Sequence, residues 1–474
     1  MSKEFQLRPN CLNFVELLAQ NIALISPTMT AALIVPLMFS NTGNISWLSY
    51  AVGTIMLLFV AFNLNQFAKR SVGTGSMYSY TSLGLGASAG CMSGWCLVWA
   101  YLFIGLAGTT GFTIFAGKLL AAMGITLPPV LLFATCLGLC FLLAYKDIKV
   151  STIVMLFLEC ISCFLIIVLG LTVLGKHGLA IDSSQFTFTG VSLSSLGLGV
   201  VVAVFSLVGF ESSTAFGEEA KDATRTVPLS IIWSLIATGL FFMFVCYVEV
   251  LATHGYSKTL DQIDSPLSVI AEIYKVPFLS LPLAAGAMFS FFALALSCMN
   301  AGARVMVAMG RHGIYHSATS RTHARHLTPH VALALMALSM FTVVTVARIC
   351  HMEVLDAFND AGTMGAFGFI GAYFLITLAA PFYVKKRGEL KTKDVVLCVA
   401  AMLLLLIPAV GSVYPVPPAP VNYFPYIFLG YLAVGVIRVI ALHVRAPERL
   451  KQIRDEIHSH HVAADVFAME SPQK

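Results

Sequence analysis

Charged residues are scarce in this sequence. Asp, Glu, Lys and Arg together make up 11% of its 474 residues, whereas hydrophobic residues make up 58%. Soluble domains carry about 25% charged residues, so this composition excludes water as the main solvent of the fold. Because a membrane-spanning helix needs about 20 apolar residues, the length leaves room for about a dozen such helices and for no separate soluble domain.

Signals for processing, covalent cross-linking and catalysis are also missing. The first apolar stretch begins after residue 13 and has no small-residue cleavage site, so we expect the first helix to act as the targeting signal. The eleven cysteines show no metal-ligand or disulfide spacing, and we interpret them as small core residues. The sequence has no clustered nucleophile and base and no His-Glu-x-x-His motif. We therefore expect no enzyme activity, no catalytic residues, no bound metal or cofactor and no nucleic-acid partner.

The sequence instead contains a series of apolar runs separated by short connections. Their lengths predict twelve transmembrane helices and an all-α membrane fold. The predicted helices span residues 14–40, 47–67, 91–117, 128–145, 151–174, 195–217, 228–252, 279–309, 331–349, 356–383, 395–412 and 423–443. The connection 253–278 includes a short apolar stretch, 266–274, that we expect to lie along the membrane surface.

Lys and Arg are distributed unevenly between the two sides of this predicted membrane domain. Of the 28, 21 fall in the N-terminal segment, the C-terminal segment and the connections on the same side, 5 lie on the opposite side and 2 lie within helices. The positive-inside rule places the basic side in the cytoplasm. We therefore predict a multi-pass protein of the cell (inner) membrane with both termini in the cytoplasm. Residues 444–474 are expected to form a cytoplasmic tail that includes a short charged helix at 445–461.

Two of the predicted helices contain residues that weaken a helix at mid-membrane depth. The first helix has Pro27 among three hydroxyl side chains in residues 26–30, and proline both removes a backbone donor and clashes with the preceding turn. The sixth helix has Gly209 followed by Glu211. The two positions are five helices apart, and many transporters form their solute site where two such helices are interrupted. This spacing predicts a break in each helix.

The sixth helix and the loop after the eighth carry the most specific motifs. Gly209-Phe210-Glu211 continues through Gly217-Glu218-Glu219-Ala220 to Arg225-Thr226-Val227-Pro228, and a second segment runs from Arg304 to Gly313, with Thr328-Pro329 further on. In these segments the sequence resembles the amino acid, polyamine and organocation transporter superfamily, and the resemblance extends over essentially all twelve helices. It implies a five-plus-five inverted repeat with discontinuous helices 1 and 6. Here the repeats would cover about 14–174 and 195–383, with two peripheral helices at about 395–443.

The resemblance also implies a substrate site at the two breaks. The substrate-binding residues would be Ser26, Thr28, Met29 and Thr30 in the first helix and Phe205 and Gly209 in the sixth. In such proteins backbone donors of the first break hold the carboxylate of the solute, and an aromatic ring at the position of Phe205 closes over it. Most relatives have a glycine-rich stretch at the first break, whereas residues 26–30 contain no glycine. Substrates that lack a carboxylate therefore stay open.

The function implied by the resemblance is secondary active transport of amino acids or related small amines by alternating access, driven by a proton or Na⁺ gradient or by exchange. The alternatives are a transporter of polyamines or ethanolamine-type amines and a non-transporting sensor on the same fold. A six-plus-six facilitator fold is disfavoured, because its long central loop is replaced here by the short link 218–227. The partners expected are a small-molecule amino acid or amine and membrane lipid, and the oligomeric state is open.

Four acidic residues near the predicted site require an explanation. Glu159 is a lone carboxyl in the fifth helix, and burying it as a charge costs about 3 kcal/mol. Our hypothesis is that Glu159 takes up and releases a proton, or helps to bind Na⁺ or an ammonium group, with a purely structural carboxylic acid as the alternative. Glu211 is expected to have a gating or network role. Glu218 and Glu219 are expected to form a solvated ion-pair network with nearby basic residues.

Histidines are concentrated in one loop on the basic side, after the eighth helix. They are His312, His316, His323, His326 and His330. Their spacing matches no standard zinc motif. We interpret this segment as a basic, solvated loop close to anionic lipid.

Overall fold

The computed structural model describes residues 7–73, 75–178, 181–187, 192–263, 265–414, 416–445 and 448. In this part of the chain the regular structure is helical, apart from a single bridge between Leu12 and Ala220. Eleven helical stretches within the described residues are long and apolar enough to cross a membrane. The tail predicted from residue 444 onward, with its charged helix, lies outside the described residues except for 444, 445 and 448.

The helices follow the predicted apolar runs closely, and most of their ends lie within a few residues of the predicted ones. They are α1 (Phe14–Ile25), α2 (Pro27–Met29), α3 (Val35–Thr42), α4 (Ser46–Ala68), α5 (Met77–Leu85), α6 (Ala87–Ala122), α7 (Pro129–Lys146), α8 (Ile148–Lys176), α9 (Leu193–Leu207), α10 (Ala223–Thr253), α11 (Pro266–Ile273), α12 (Ser280–Arg311), α13 (His330–Ile349), α14 (Val354–Lys386), α15 (Thr392–Gly411) and α16 (Phe424–Arg445). Helix α11 corresponds to the short apolar stretch predicted between the seventh and eighth spans.

The first helical stretch, Phe14–Ala68, is too long for a single crossing. It has 55 residues, and a straight helix of that length would extend about 80 Å, more than twice the roughly 30 Å of a bilayer core. The helical path is interrupted between α3 and α4 by the 3₁₀ turn Gly43–Ile45. Gly43 has a φ of 58°, a conformation that glycine adopts without steric cost.

One feature of the helical path differs from the prediction. The short helix α5 was not predicted, because its sequence is rich in Ser, Thr, Tyr and Gly rather than apolar residues. The junction of α5 and α6 has the sequence Gly86-x-Ser88-x-Gly90, which has the pattern of a nucleophile elbow. A nucleophile elbow needs a strand before the helix, whereas this segment joins two helices. The sixth predicted span, 195–217, corresponds to the helical stretch Ser195–Ala215. It contains the predicted break, because α9 ends at Leu207 and a 3₁₀ turn follows at Ser212–Ala215.

The centre of the fold is the long helix α6, which packs against α12 and α14 through small residues. A Cβ at Gly108 of α6 would lie 2.8 Å from the backbone nitrogen of Ala295 in α12. A Cβ at Gly368 of α14 would lie 2.6 Å from the carbonyl oxygen of Cys96 in α6. Lipid gives helices no hydrophobic reason to associate, so close backbone approach of this kind supplies the packing energy. These three helices form the frame against which the interrupted helices lie.

Candidate functional site

The first helix is interrupted at Ser26. Helix α1 ends at Ile25, and Ser26 takes a left-handed conformation with φ 52° and ψ 72°. Pro27 then starts the next helical turn, and residues Thr30–Ile34 form a π-helical turn before α3. A left-handed conformation costs a non-glycine residue about 1–2 kcal/mol. Ser26 thus adopts here the backbone conformation that glycine would adopt without that cost.

The sixth helix is interrupted at Val208 and Gly209. Val208 is extended, with ψ 149°, and Gly209 has a φ of 100°. A Cβ at Gly209 would lie 1.9 Å from Cδ2 of Leu24, which is two residues before Ser26. The two interruptions therefore lie directly against each other, and they do so because position 209 has no side chain.

Two amides of α1 fasten it to the segment after the second interruption and to α12. Asn21 Oδ1 accepts hydrogen bonds from the Ser213 backbone N–H at 2.7 Å and from Ser212 Oγ at 3.0 Å. Gln20 donates to Ser297 Oγ at 2.6 Å. Both amides are fully buried, where a lost hydrogen-bond partner costs about 1–3 kcal/mol. Sequence reasoning missed both residues, although two adjacent amides in an apolar helix were a signal that could have found them.

Glu211 holds the backbone of the second interruption. Its Oε2 accepts a hydrogen bond from Tyr373 of α14 at 2.7 Å and from the Gly209 backbone N–H at 3.2 Å. Its Oε1 accepts from Tyr101 of α6 at 3.3 Å. The carboxyl is fully buried and both of its oxygens have partners. It therefore ties the end of α9 to the frame formed by α6 and α14.

Glu159 of α8 lies beside the first interruption. Ser290 of α12 donates to its Oε1 at 2.9 Å, and Ser290 Oγ is 2.9 Å from Ser26 Oγ. The other oxygen of the carboxyl, Oε2, has no hydrogen-bond partner among the described residues. Helix α8 also contacts the first interruption through Ser162, whose Oγ lies 2.5 Å from Thr28 Oγ1. Two hydroxyls thus connect the buried carboxyl to the left-handed residue of the break.

The other predicted site residues lie in the same region. Met29, Thr30 and Gly209 are buried, and Thr30 Oγ1 has no hydrogen-bond partner among the described residues. Phe205 is half-buried, and its ring lies on Gly362 of α14, where a Cβ would be 2.2 Å from Cζ. The structure thus brings the first-helix residues, Gly209 and Glu159 together, whereas Glu211 and Phe205 lie on the side of α14.

Glu219 does not belong to a solvated network, and that prediction is wrong. Glu219 and Arg304 of α12 form an ion pair whose side chains are each 1% exposed, with a bond of 2.9 Å from Nη2 to Oε1. The guanidinium also donates to the Asn300 carbonyl at 3.0 Å and lies 4.2 Å from the centre of the Phe216 ring. The backbone carbonyl of Glu219 accepts hydrogen bonds from Cys11 and Leu12. Glu218 does pair with Arg311, at 2.8 Å and partly exposed.

A further buried carboxyl, Glu249 of α10, was not found by sequence reasoning. It is 2% exposed, and neither of its oxygens has a hydrogen-bond partner among the described residues. It lines a small cavity between α8, α10 and α11 together with apolar side chains. A single Glu four residues before the end of an apolar helix resembles an ordinary membrane-boundary residue, so only the tertiary structure shows its burial.

Comparison with known proteins gives consistent results over most of the chain. A sequence model described as amino acid permease matches residues 14–437. The chain is 22% identical over 362 residues to the branched-chain amino acid permease BcaP of Bacillus subtilis, covering 72% of this chain and 74% of that protein. It is 27% identical to BcaP of Lactococcus lactis, covering 69% and 73%. It is 24% identical to the low-affinity putrescine importer PlaP of Escherichia coli, covering 73% and 75%.

Proposed function

The chain belongs to the amino acid permease family, and on that premise we propose that it is a secondary active transporter of amino acids or related small amines that works by alternating access. The observation that carries this proposal is the contact between the two helix interruptions at Leu24 and Gly209. Interrupted helices that meet inside a membrane free backbone groups for a solute and can separate without unfolding either helix. The membership in a permease family also makes the protein a transporter rather than an enzyme.

The proposed architecture has twelve crossings in two inverted five-helix repeats, about 14–174 and 195–383, with two further helices. Division of the 55-residue stretch Phe14–Ala68 at Gly43–Ile45 would turn eleven helical stretches into twelve crossings. The second interruption then falls five crossings after the first. The distribution of Lys and Arg supports an orientation with both termini in the cytoplasm of a cell membrane.

The proposed substrate site is the space at Ser26–Thr30 and Phe205–Gly209. A helical run begins at Pro27 within this site, and a helix N-terminus carries a partial positive charge that favours a carboxylate. The buried hydroxyl of Thr30, which has no partner among the described residues, is available to a bound solute. Phe205, half-buried against Gly362, is the ring that would cover the solute.

Glu159 is the proposed coupling group, because the hydroxyls of Ser290 and Ser26 can transmit its protonation state to the break. An ionised carboxyl only accepts hydrogen bonds, so Ser290 then donates to Glu159 and accepts from Ser26. When Oε1 carries a proton, it donates to Ser290, whose hydrogen turns towards Ser26 instead. Protonation therefore reverses the hydrogen bond at the residue whose strained conformation interrupts the helix.

The test is uptake of radiolabelled leucine and putrescine into proteoliposomes with an imposed proton or Na⁺ gradient. We expect the gradient to accelerate uptake by the wild-type protein and to have no effect on Glu159→Gln, which keeps the size of the side chain and removes its charge. Glu249→Gln is the matched control, because it makes the same change at another fully buried carboxyl away from the break. Unchanged gradient dependence in Glu159→Gln would contradict the coupling role. Binding of either solute without any flux would identify a sensor instead.

One observation favours amines without a carboxylate as a second candidate class. The Glu159 carboxyl already lies beside the first interruption, connected to Ser26 through the hydroxyl of Ser290, so an internal carboxylate competes for the place that a substrate carboxylate would take. The absence of glycine in residues 26–30 also limits the approach of a solute to the backbone. Saturable uptake of putrescine, combined with no uptake of leucine, would establish this class.

A further inference from the structure

A groove lies on the outer surface of the helical bundle between α7 and α13. It has a volume of about 360 Å³ and is lined by apolar residues of these two helices. Ala134 and Gly138 on α7 and Ala334 on α13 are exposed, and Ala337 is half-buried. Because both helices present small residues at a spacing of three or four, the seam between them stays open instead of being filled by side chains. Its volume falls within the range of ligand pockets, about 300–1,000 Å³.

One end of the groove leads directly to the histidine-rich loop. Phe141 lines the groove on α7, and Tyr145 follows one turn later, with the two ring centres 5.7 Å apart. On α13 the groove residue Ala334 lies one turn after His330, the first residue of that helix. Thr328 donates to the Tyr145 carbonyl at 2.7 Å and so fixes the loop to the end of α7. The groove therefore opens next to this loop.

This end of the groove carries three histidines and two arginines. The ring of His323 lies 4.8 Å from that of His326 and 5.8 Å from that of His330. Arg321 and Arg325, on the same loop, are exposed. The acidic residue that follows α7, Asp147, is already paired with Arg8 at 2.5 Å. The loop beside the mouth of the groove thus holds two exposed arginines.

We propose that this groove binds an anionic phospholipid, with an acyl chain between α7 and α13 and the headgroup phosphate on Arg321, Arg325 and the histidine rings. Both parts of such a ligand match the groove, since an acyl chain fits an apolar seam and a phosphate fits the arginines and histidine N–H groups at its end. Basic pockets between transmembrane helices are used in this way for anionic headgroups. Among the described residues no group of three or more His, Cys, Asp or Glu side chains could hold a metal ion.

The test is native mass spectrometry of the full-length protein in detergent, titrated separately with dioleoylphosphatidylglycerol and with zwitterionic dioleoylphosphatidylcholine. Arg321→Gln/Arg325→Gln removes the headgroup contacts. We expect it to weaken phosphatidylglycerol binding by about thirtyfold, which corresponds to about 1 kcal/mol for each arginine near a membrane surface. Gly138→Leu fills the groove, and a Cβ at this glycine meets no atom within 4 Å, so the protein itself has room for the change.

Gly430→Leu is the matched control for the groove. Gly430 is an exposed glycine of α16 whose Cβ would also meet no atom within 4 Å. We expect Gly138→Leu to lower phosphatidylglycerol binding at least tenfold and Gly430→Leu to leave it unchanged, with both variants unfolding at the wild-type temperature. Equal binding of the two lipids by the wild type, or equal effects of the two leucine variants, would overturn the proposal. The proposal would also be overturned if soluble glycerol phosphate displaced phosphatidylglycerol. It would be overturned as well if Gly138→Leu lost a protein dimer while lipid binding stayed intact.

Discussion

Gly209 provides the sharpest test of how the two helix interruptions fit together. Gly209→Ala adds one carbon at a residue whose φ is 100°, 1.9 Å from Cδ2 of Leu24. Rotation of the Leu24 side chain does not remove the conflict, because its Cγ and Cβ would lie 2.9 and 3.1 Å from the new carbon. The first helix must therefore move away from the sixth, or the backbone at 209 must change conformation.

The expected loss of stability has two separable parts. A non-glycine residue at this φ costs about 1–3 kcal/mol in backbone strain, and overpacking against Leu24 costs about 1–3 kcal/mol more. Leu24→Ala removes Cγ and both Cδ atoms and with them most of the second part, so Gly209→Ala should cost mainly the backbone strain of about 1–3 kcal/mol in that background, with a coupling energy of similar size. Gly197→Ala is the control on the same helix, because a Cβ at Gly197 meets no atom within 4 Å. It should be neutral or stabilise by about 0.5–1 kcal/mol.

The assay is denaturant-induced unfolding in detergent micelles, followed by the fluorescence of the four tryptophans. Transport should be measured on the same preparations, since a shifted interruption also displaces the proposed substrate site. The reasoning is refuted if Gly209→Ala is as stable as Gly197→Ala. It is also refuted if the cost of Gly209→Ala is the same with leucine and with alanine at position 24, because the contact between the two interruptions would then contribute nothing.

Two further predictions concern charges away from the substrate site. Arg304→Gln leaves Glu219 buried without its partner and should destabilise the protein by about 3–5 kcal/mol in the same unfolding assay. Arg311→Gln is the control seven residues later, and because Arg311 pairs with the partly exposed Glu218, it should cost less than about 1 kcal/mol. Similar costs for the two variants would contradict the buried pair. Burial raises the pKa of Asp182, but hydrogen bonds from Ser184 and Gln185 and the charge of His254 outweigh it and leave that pKa below its ordinary value. The resulting stabilisation of the folded protein is present above about pH 4 and is lost as the pH falls through the native pKa of Asp182. Asp182→Asn should therefore reduce the decline in the free energy of unfolding below about pH 4. An unaltered pH profile of stability would count against the contacts of Asp182 with Ser184, Gln185 and His254.

The positions of the helices could be predicted because membrane insertion depends on local composition. A run of about 20 apolar residues is sufficient to identify a span wherever it lies in the chain, so the predicted spans agree with the helices of the structure to within a few residues at most ends. Pro27 and Gly209 marked the interruptions for the same reason, since each acts on its own turn of helix. Helix α5 was missed because its polar sequence carries no such local signal.

The partners of the buried polar groups depend on contacts between residues far apart in the sequence, and only the tertiary structure decided them. Glu219 and Arg304 are separated by 85 positions, Glu159 and Ser290 by 131, and Asn21 and Ser213 by 192. The sequence determined that this chain spans a membrane many times and which helices are interrupted. The fold decided which carboxyls are neutralised by a partner and which are not, because a charge in an apolar medium is tolerated only where another element supplies that partner.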